Sequence, residues 1–133
     1  MTDNYADVQQ SFNRCLQRHD FLRRFYAIFI ARDPRIAPKF QNTNWDKQVH
    51  LLRHGISASL LYAAGSDLGA AEIEQLSASH SRRGYDIPEW MYDEWLESLI
   101  AAVRETDPQM DERLEQRWRE AMRPVIATMI ARR

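Results

Sequence analysis

The stretch that decides the fold is FYAIFIARDPRIAPKF, residues 25–40. Its first half is apolar and aromatic without the alternation of a half-buried strand, which favours a buried helix. Asp33 followed by Pro34 is typical of an N-cap with proline at the first helical position, so a short new helix is expected to start there. Pro38 is expected to end that helix quickly, because proline interrupts the helical hydrogen bonds, and Phe40 closes the run.

The segments on either side of this stretch up to the middle of the chain also follow helical periodicity. The first segment breaks near His19 and Asp20, and Thr43 or Asn44 can cap a later helix that runs to about Ala64. The later helix is apolar on two sides, which indicates that it lies between other helices. The apolar positions are Tyr5, Val8, Phe12 and Cys15 in the first segment and Val49, Leu51, Leu52, Ile56, Ala58, Leu60, Leu61, Tyr62 and Ala63 in the later helix.

The second half of the chain predicts three more helices. A shorter helix leads to His80, and Gly84 and Pro88 mark the corner after it. Two long helices follow, and Asp107–Pro108 is expected to start the second. Strand-like alternation with hairpin turns is absent from the sequence, so the predicted class is all-α. The apolar positions of the long helices are Trp90, Trp95, Leu99 and Val103, then Met110, Leu114, Trp118, Met122, Val125 and Met129.

Composition limits the classes of function. The chain has 133 residues, enough for one domain with a core and too few for an additional catalytic domain such as a flavin reductase. The formal net charge is −1 with acids and bases intermixed, which argues against a nucleic-acid partner. Cys15 is the single cysteine, which fits a reducing compartment. Neither a signal peptide nor a membrane-spanning apolar run is evident, so we expect a cytoplasmic protein without a membrane partner.

The stretch 25–40 resembles the second and third helices of bacterial single-domain globins and flavohaemoglobins. That family has a Phe-Tyr pair, a turn with Pro after Asp or His, and a Phe at the start of the following loop. The matching residues here are Phe25–Tyr26, Asp33–Pro34 and Phe40.

A second stretch, LSASHSRRGYDIPEW at 76–90, is similar to the proximal segment of the same family. In that segment a histidine is followed four residues later by a glycine, as His80 is followed by Gly84. The resemblance runs from about Val8 to Met129, and the order and spacing of the motifs carry it. It implies a single globin domain over residues 1–133 with a globin-like three-over-three helical sandwich.

The resemblance implies a b-type haem (iron protoporphyrin IX) whose iron is bound by His80. Neutral imidazole is a standard axial ligand, and His80 shares a helix face with Ile73 and Leu76, so we expect it to point inward. Ser79 could accept the other ring N–H, as groups around a metal-bound histidine do. Further expected haem contacts are Phe40 flat against the porphyrin, Trp90 in the proximal segment, and Arg53, Arg83 and Lys47 as partners of the propionates.

Across the iron from His80, the resemblance implies that the helix with two apolar sides faces the bound gas. Its apolar stripe places Leu52 toward the ligand and Ile56 one turn further in, with Val49 and Leu60 flanking. Many globins have His or Gln at the position assigned to Leu52. The hydrogen-bond donor to the ligand is then expected to be Tyr26, acting inside an apolar pocket.

An alternative register of that helix stays open. Without a gap in the loop after Phe40, His50 would face the iron in place of Leu52, and His54 would lie inside. His50 therefore remains a candidate sixth ligand or propionate partner. Asp46, His50 and His54 also share one helix face, which could form a surface metal site, although the Glu that follows the first His of a zincin helix is missing. A solvated face is the simpler interpretation.

Three functions and one simpler alternative follow from the resemblance. The first is reversible binding of O2, with NO and CO as further gas ligands, in oxygen transport or storage. The second is NO dioxygenation, which would need a separate reductase as a partner. The third is a haem-based gas sensor read by another protein. The simpler alternative is a globin fold without haem that serves only in protein contacts, and a monomer and a homodimer are both compatible with the sequence.

Overall fold

The computed structural model describes residues 3–81 and 84–133, and within these ranges it contains helices and no strands. The predicted all-α class is therefore confirmed. The elements in chain order are α1 (Ala6–Leu16), α2 (Phe21–Arg32), a short 3-10 helix (Ala37–Phe40), α3 (Trp45–Ala63), α4 (Asp67–His80), α5 (Glu89–Thr106) and α6 (Glu112–Ala131).

Side-chain caps decide where three of these helices begin. Asn44, Ser66 and Asp111 each accept a hydrogen bond from the backbone N–H three residues later, at 3.2, 3.3 and 2.7 Å. Such caps satisfy backbone donors that the first turn of a helix leaves unpaired. The prediction that Thr43 or Asn44 caps the two-sided helix is confirmed for Asn44.

The predicted helix start at Asp33–Pro34 is wrong. Asp33 is the extended residue that ends α2, and the 3-10 helix starts at Ala37. The Asp33 carboxylate instead accepts the N–H and guanidinium of Arg35, which closes a local turn. Pro38 lies in the first turn of the 3-10 helix, where its missing N–H costs no hydrogen bond, and does not end it.

The predicted start of the last helix at Asp107–Pro108 is also wrong, because α6 begins at Glu112. The Asp107 side chain is fully buried and is not a cap. Its two oxygens accept hydrogen bonds from the Arg14 guanidinium at 2.8 Å and from the Ser11 hydroxyl at 2.6 Å. The acid that resembled a local start signal therefore ties the turn after α5 to α1.

Two apolar clusters form the core, and α6 contributes to both. Trp118 and Met122 belong to the larger cluster, which also takes in α1, α2, α3 and α5. Val125 and Met129 belong to a smaller cluster with residues of α3, α4 and α5. Pro124 lies inside α6 between these two sets. The larger and the smaller cluster therefore share α6, which contributes its first part to one and its last part to the other.

The packing of α3 agrees with the prediction that it lies between other helices. It packs against α2, α4 and α6, while α2 packs against α5. Gly69 of α4 makes the close approach to α3, because a Cβ there would lie 2.5 Å from the Tyr62 backbone nitrogen. No helix of the described residues has the length and apolar character needed to cross a membrane.

Candidate functional site

His80 is the last residue of α4 and is half-buried. Its Nδ1 lies 2.9 Å from the carbonyl oxygen of Leu76 and 3.0 Å from the hydroxyl of Ser79. Among the described residues, its Nε2 has no hydrogen bond. Burial lowers the pKa of His80, and the bond to the Leu76 carbonyl opposes that shift only in part. The imidazole is therefore neutral at neutral pH, with Nδ1–H donating to Leu76 and the Nε2 lone pair free.

The corner after α4 fixes the position of this imidazole. The N–H groups of Tyr85 and Ile87 donate back to the carbonyls of Ser79 and His80, at 2.9 and 3.2 Å. Gly84 packs so closely on this turn that a Cβ would lie 2.1 Å from the Ser79 carbonyl oxygen. Every larger residue would have to push the corner away from the end of α4. The His–Gly spacing noted in the sequence thus has a steric cause here.

Tyr26 of α2 packs in an aromatic group beside the start of α3. Its ring makes edge contacts with Phe40 and Trp45, at centroid distances of 5.5 and 5.2 Å, and Phe40 stacks on Trp45. The phenol oxygen accepts a hydrogen bond of 2.8 Å from the side-chain amide of Gln48. Burial raises the pKa of Tyr26 to about 12, and the Gln48 bond opposes that rise. The hydroxyl stays protonated, and its proton is free for a second partner.

Gln48 is the functional candidate that the sequence analysis missed. It precedes Leu52 and Ile56 at intervals of four, so the three share one face of α3. Ile56 is fully buried and Leu52 nearly so, while Gln48 is half-buried. Extending the apolar stripe one turn toward the start of the helix would have found it. A polar residue thus lies on this face one turn before the position assigned to Leu52.

His50 and His54 are exposed on the opposite side of α3. This geometry favours the register with Leu52 inside over the register with His50. His54 Nε2 lies 2.9 Å from the carboxylate of Glu72 on α4, and Asp46 pairs with Arg23 on α2. No group of three or more His, Cys, Asp or Glu residues suited to a metal ion occurs in the described ranges. Asp46, His50 and His54 therefore lie on a solvent-exposed face, where Asp46 forms an ion pair with Arg23 and His54 a hydrogen bond with Glu72.

The remaining predicted contacts divide between core and surface. Val49 and Trp90 are half-buried and pack against the larger cluster, as Phe40 does. Arg53 and Lys47 are exposed on α3. Arg83 lies outside the described residues. The roles of these six side chains toward a haem stay predictions.

The side chains present fit a haem. A neutral imidazole with one nitrogen held by its own helix and the other free matches the arrangement of metal-bound histidines. The phenol–amide pair of Tyr26 and Gln48 supplies a polar group among apolar and aromatic neighbours. Neither the hydrogen bonds nor the ring contacts found in the described residues join His80 to Tyr26. Two surface cavities of about 250 and 260 Å³ are lined in part by α1, and Leu60 is the one predicted site residue that lines either of them.

Comparison with known proteins identifies the family. No protein-family model and no curated protein matches the chain. The chain is similar to a protein from Pseudomonas aeruginosa whose crystal structure is described as structurally highly homologous to a human hemoglobin. The two share 37% sequence identity with a TM-score of 0.92, over 98% of each chain. The all-helical architecture and this similarity together show that the chain belongs to the bacterial single-domain globins.

Proposed function

We propose that this globin binds a b-type haem through His80 and reversibly binds O2 there, with NO and CO as further ligands. The observation that carries the proposal is the His80 ring. Its Nδ1 is held by the Leu76 carbonyl, and its Nε2 is free of hydrogen bonds in the described part of the chain. That is the state in which an imidazole can ligate iron.

The bound haem would supply a ferrous iron able to take a diatomic gas. His80 offers its Nε2 lone pair, and the bond from Nδ1–H to Leu76 keeps the ring in one tautomer and one orientation. The Ser79 hydroxyl also donates to the Leu76 carbonyl, at 2.9 Å, and lies within hydrogen-bond distance of Nδ1. The last turn of α4 therefore holds the ring through two neighbouring groups.

Tyr26 is the proposed hydrogen-bond donor to the gas. The Gln48 amide donates to the phenol oxygen, so the phenol proton is left to point at another acceptor. A hydrogen bond formed among apolar neighbours is stronger than one in water. Leu52 and Ile56 extend the same face of α3 and exclude water from it. We expect this combination to slow the release of O2.

An absorption spectrum of the purified protein tests the proposal, recorded before and after hemin, dithionite and CO. We expect a Soret band that shifts on addition of CO and is lost in His80→Ala. His19→Ala is the matched control, because His19 is exposed at the end of α1 and contributes to no predicted contact. The proposal fails if hemin is not taken up, or if His80→Ala keeps the same spectrum.

The Tyr26–Gln48 pair also supports NO dioxygenation with a separate reductase as a second candidate. A positioned phenol donor would stabilise negative charge on the gas ligand while NO reacts. NO consumption should then exceed that of an ordinary oxygen carrier when a reductase is supplied, and Tyr26→Phe should lower it. Equal rates in the presence of the reductase would leave oxygen binding as the function.

A further inference from the structure

Lys39 joins two segments that are far apart in the chain. Its ammonium lies 3.1 Å from the carbonyl oxygen of Tyr85 and 3.3 Å from that of Asp86. Lys39 is in the 3-10 helix, next to Phe40, and the two carbonyls belong to the corner after α4. One side chain thus connects the loop of the aromatic group to the corner next to His80.

The corner contains one residue in an uncommon backbone conformation. Asp86 has a φ of 50°, in the left-handed region that non-glycine residues rarely adopt. Its N–H bonds the carbonyl of Ser81, while the N–H of Ile87 bonds that of His80. Movement of the corner would therefore be passed to the last turn of α4. Lys39 satisfies two successive carbonyls that this backbone turns outward.

A second cationic contact joins the same two segments. The Arg35 guanidinium lies 3.9 Å from the ring centroid of Trp90, at the start of α5. Arg35 itself is fixed by the Asp33 carboxylate. The segment from Asp33 to Phe40 therefore contacts two places, the corner that precedes α5 and the first turn of α5. Of these two contacts, that of Lys39 reaches the corner that bonds α4, where the Arg133 guanidinium also lies 3.7 Å from the Asp86 carboxylate.

From this geometry we infer that Lys39 is a positioning residue for His80. It acts through the backbone of Tyr85 and Asp86, holding the corner so that the His80 ring keeps its place opposite the aromatic loop. The inference rests on the proposed function insofar as His80 binds iron. The tie between Lys39 and the corner does not depend on haem.

The test compares Lys39→Met, which keeps the length and removes the donor, with Lys39→Arg, which keeps a donor. Arg18→Met is the control, since it removes one exposed positive charge at the end of α1. In the haem-free protein, Lys39→Met should speed amide hydrogen exchange at residues 85–87 about fivefold, the size expected for one exposed charge-assisted hydrogen bond. Lys39→Arg should restore slow exchange, and Arg18→Met should leave it unchanged.

The holoprotein gives the second measurement. Lys39→Met should shift the iron–histidine stretching frequency and release haem about fivefold faster to an excess of apoglobin acceptor. The same increase is expected with haem dimethyl ester, whose propionates carry no charge. An increase seen only with free-acid haem would overturn the inference, because Lys39 would then act as a propionate partner.

The outcomes separate this inference from the proposed function. Unchanged exchange at 85–87 in Lys39→Met overturns the role of Lys39, whatever the haem measurements show. Faster exchange at the corner with no haem uptake by the wild-type protein supports the tie and removes the proposed function. Faster exchange with an unchanged iron–histidine frequency overturns the positioning of His80.

Discussion

Two buried regions of the molecule differ in whether a buried hydroxyl group has a hydrogen-bond partner. Beside α1, the Ser11 hydroxyl donates to Asp107 and accepts from the Trp118 indole N–H at 3.0 Å, and Arg14 completes the pairing. In the smaller cluster, the Tyr92 hydroxyl is buried without a partner among the described residues. The first arrangement stabilises one packing, whereas the buried Tyr92 hydroxyl contributes no hydrogen bond within the described residues.

The largest expected effect is that of Trp118→Ala, in the hydrogen-bonded region beside α1. Trp118 is fully buried and makes an edge contact with Phe12 at 6.3 Å. Its removal leaves a cavity and takes from the Ser11 hydroxyl the hydrogen bond that it accepts, so the free energy of unfolding should fall by roughly 3–5 kcal/mol. Urea unfolding followed by circular dichroism measures this. Leu68→Ala, at a position 67% exposed, is the control, and a comparable loss there would contradict the distinction.

Asp107→Asn should have the next largest effect on unfolding. Burial alone would raise the pKa of Asp107, but the hydrogen bonds from Arg14, Ser11 and the Gln109 N–H outweigh burial and hold the pKa below 3.8. A carboxyl with a lowered folded-state pKa stabilises the protein above its unfolded value and loses that contribution as pH falls through the folded value.

Near neutral pH, Asp107→Asn should therefore lower the free energy of unfolding by about 2 kcal/mol. The difference between wild type and variant should shrink steadily in acid, once the wild-type carboxyl is protonated. Parallel urea titrations across the acid range measure it, with the exposed Asp20→Asn as control. A difference that does not depend on pH would show that the charge on Asp107 is not what stabilises the turn.

The smallest expected change concerns two glycines near the candidate site. Gly84→Ala places a methyl group against the Ser79 carbonyl and should destabilise the protein by roughly 1–2 kcal/mol, with weaker haem retention. Gly55→Ala is the matched change, since a Cβ there meets nothing within 4 Å inside helix α3. It should stabilise the protein by about 0.5–1 kcal/mol. Thermal unfolding and haem release are measured for both variants. If the close contact at Gly84 is correct, the changes relative to the wild-type protein have opposite signs in the two variants.

The distance along the chain between interacting residues explains what the sequence could predict. Helix periodicity and caps are local, so most elements and the inward side of α3 were predictable from residues such as Asn44 and Leu52. His80 and Gly84 could be paired because their contact spans one turn and one corner. The proposed role of this pair came from the resemblance to bacterial globins, and the structural match confirms that resemblance.

What the sequence did not predict depends on partners far along the chain. Asp107 looks like a helix start, and its true partners Ser11 and Arg14 precede it by 96 and 93 positions. The spacing of Gln48 from Leu52 places it on the inward face of α3, but its hydrogen-bond partner Tyr26 lies 22 positions earlier and could not be read from that spacing. Charged and polar residues whose partners come from another helix leave no periodic signal, because only packing brings them together.

The proline inside α6 has a consequence for how the molecule fluctuates. Because Pro124 has no N–H, the carbonyl one turn before it has no partner within the helix. The interruption falls between the residues that serve the larger cluster and those that serve the smaller one. We therefore expect the two halves of α6, each held by a different apolar cluster, to differ in the rate at which their backbone amides exchange hydrogen.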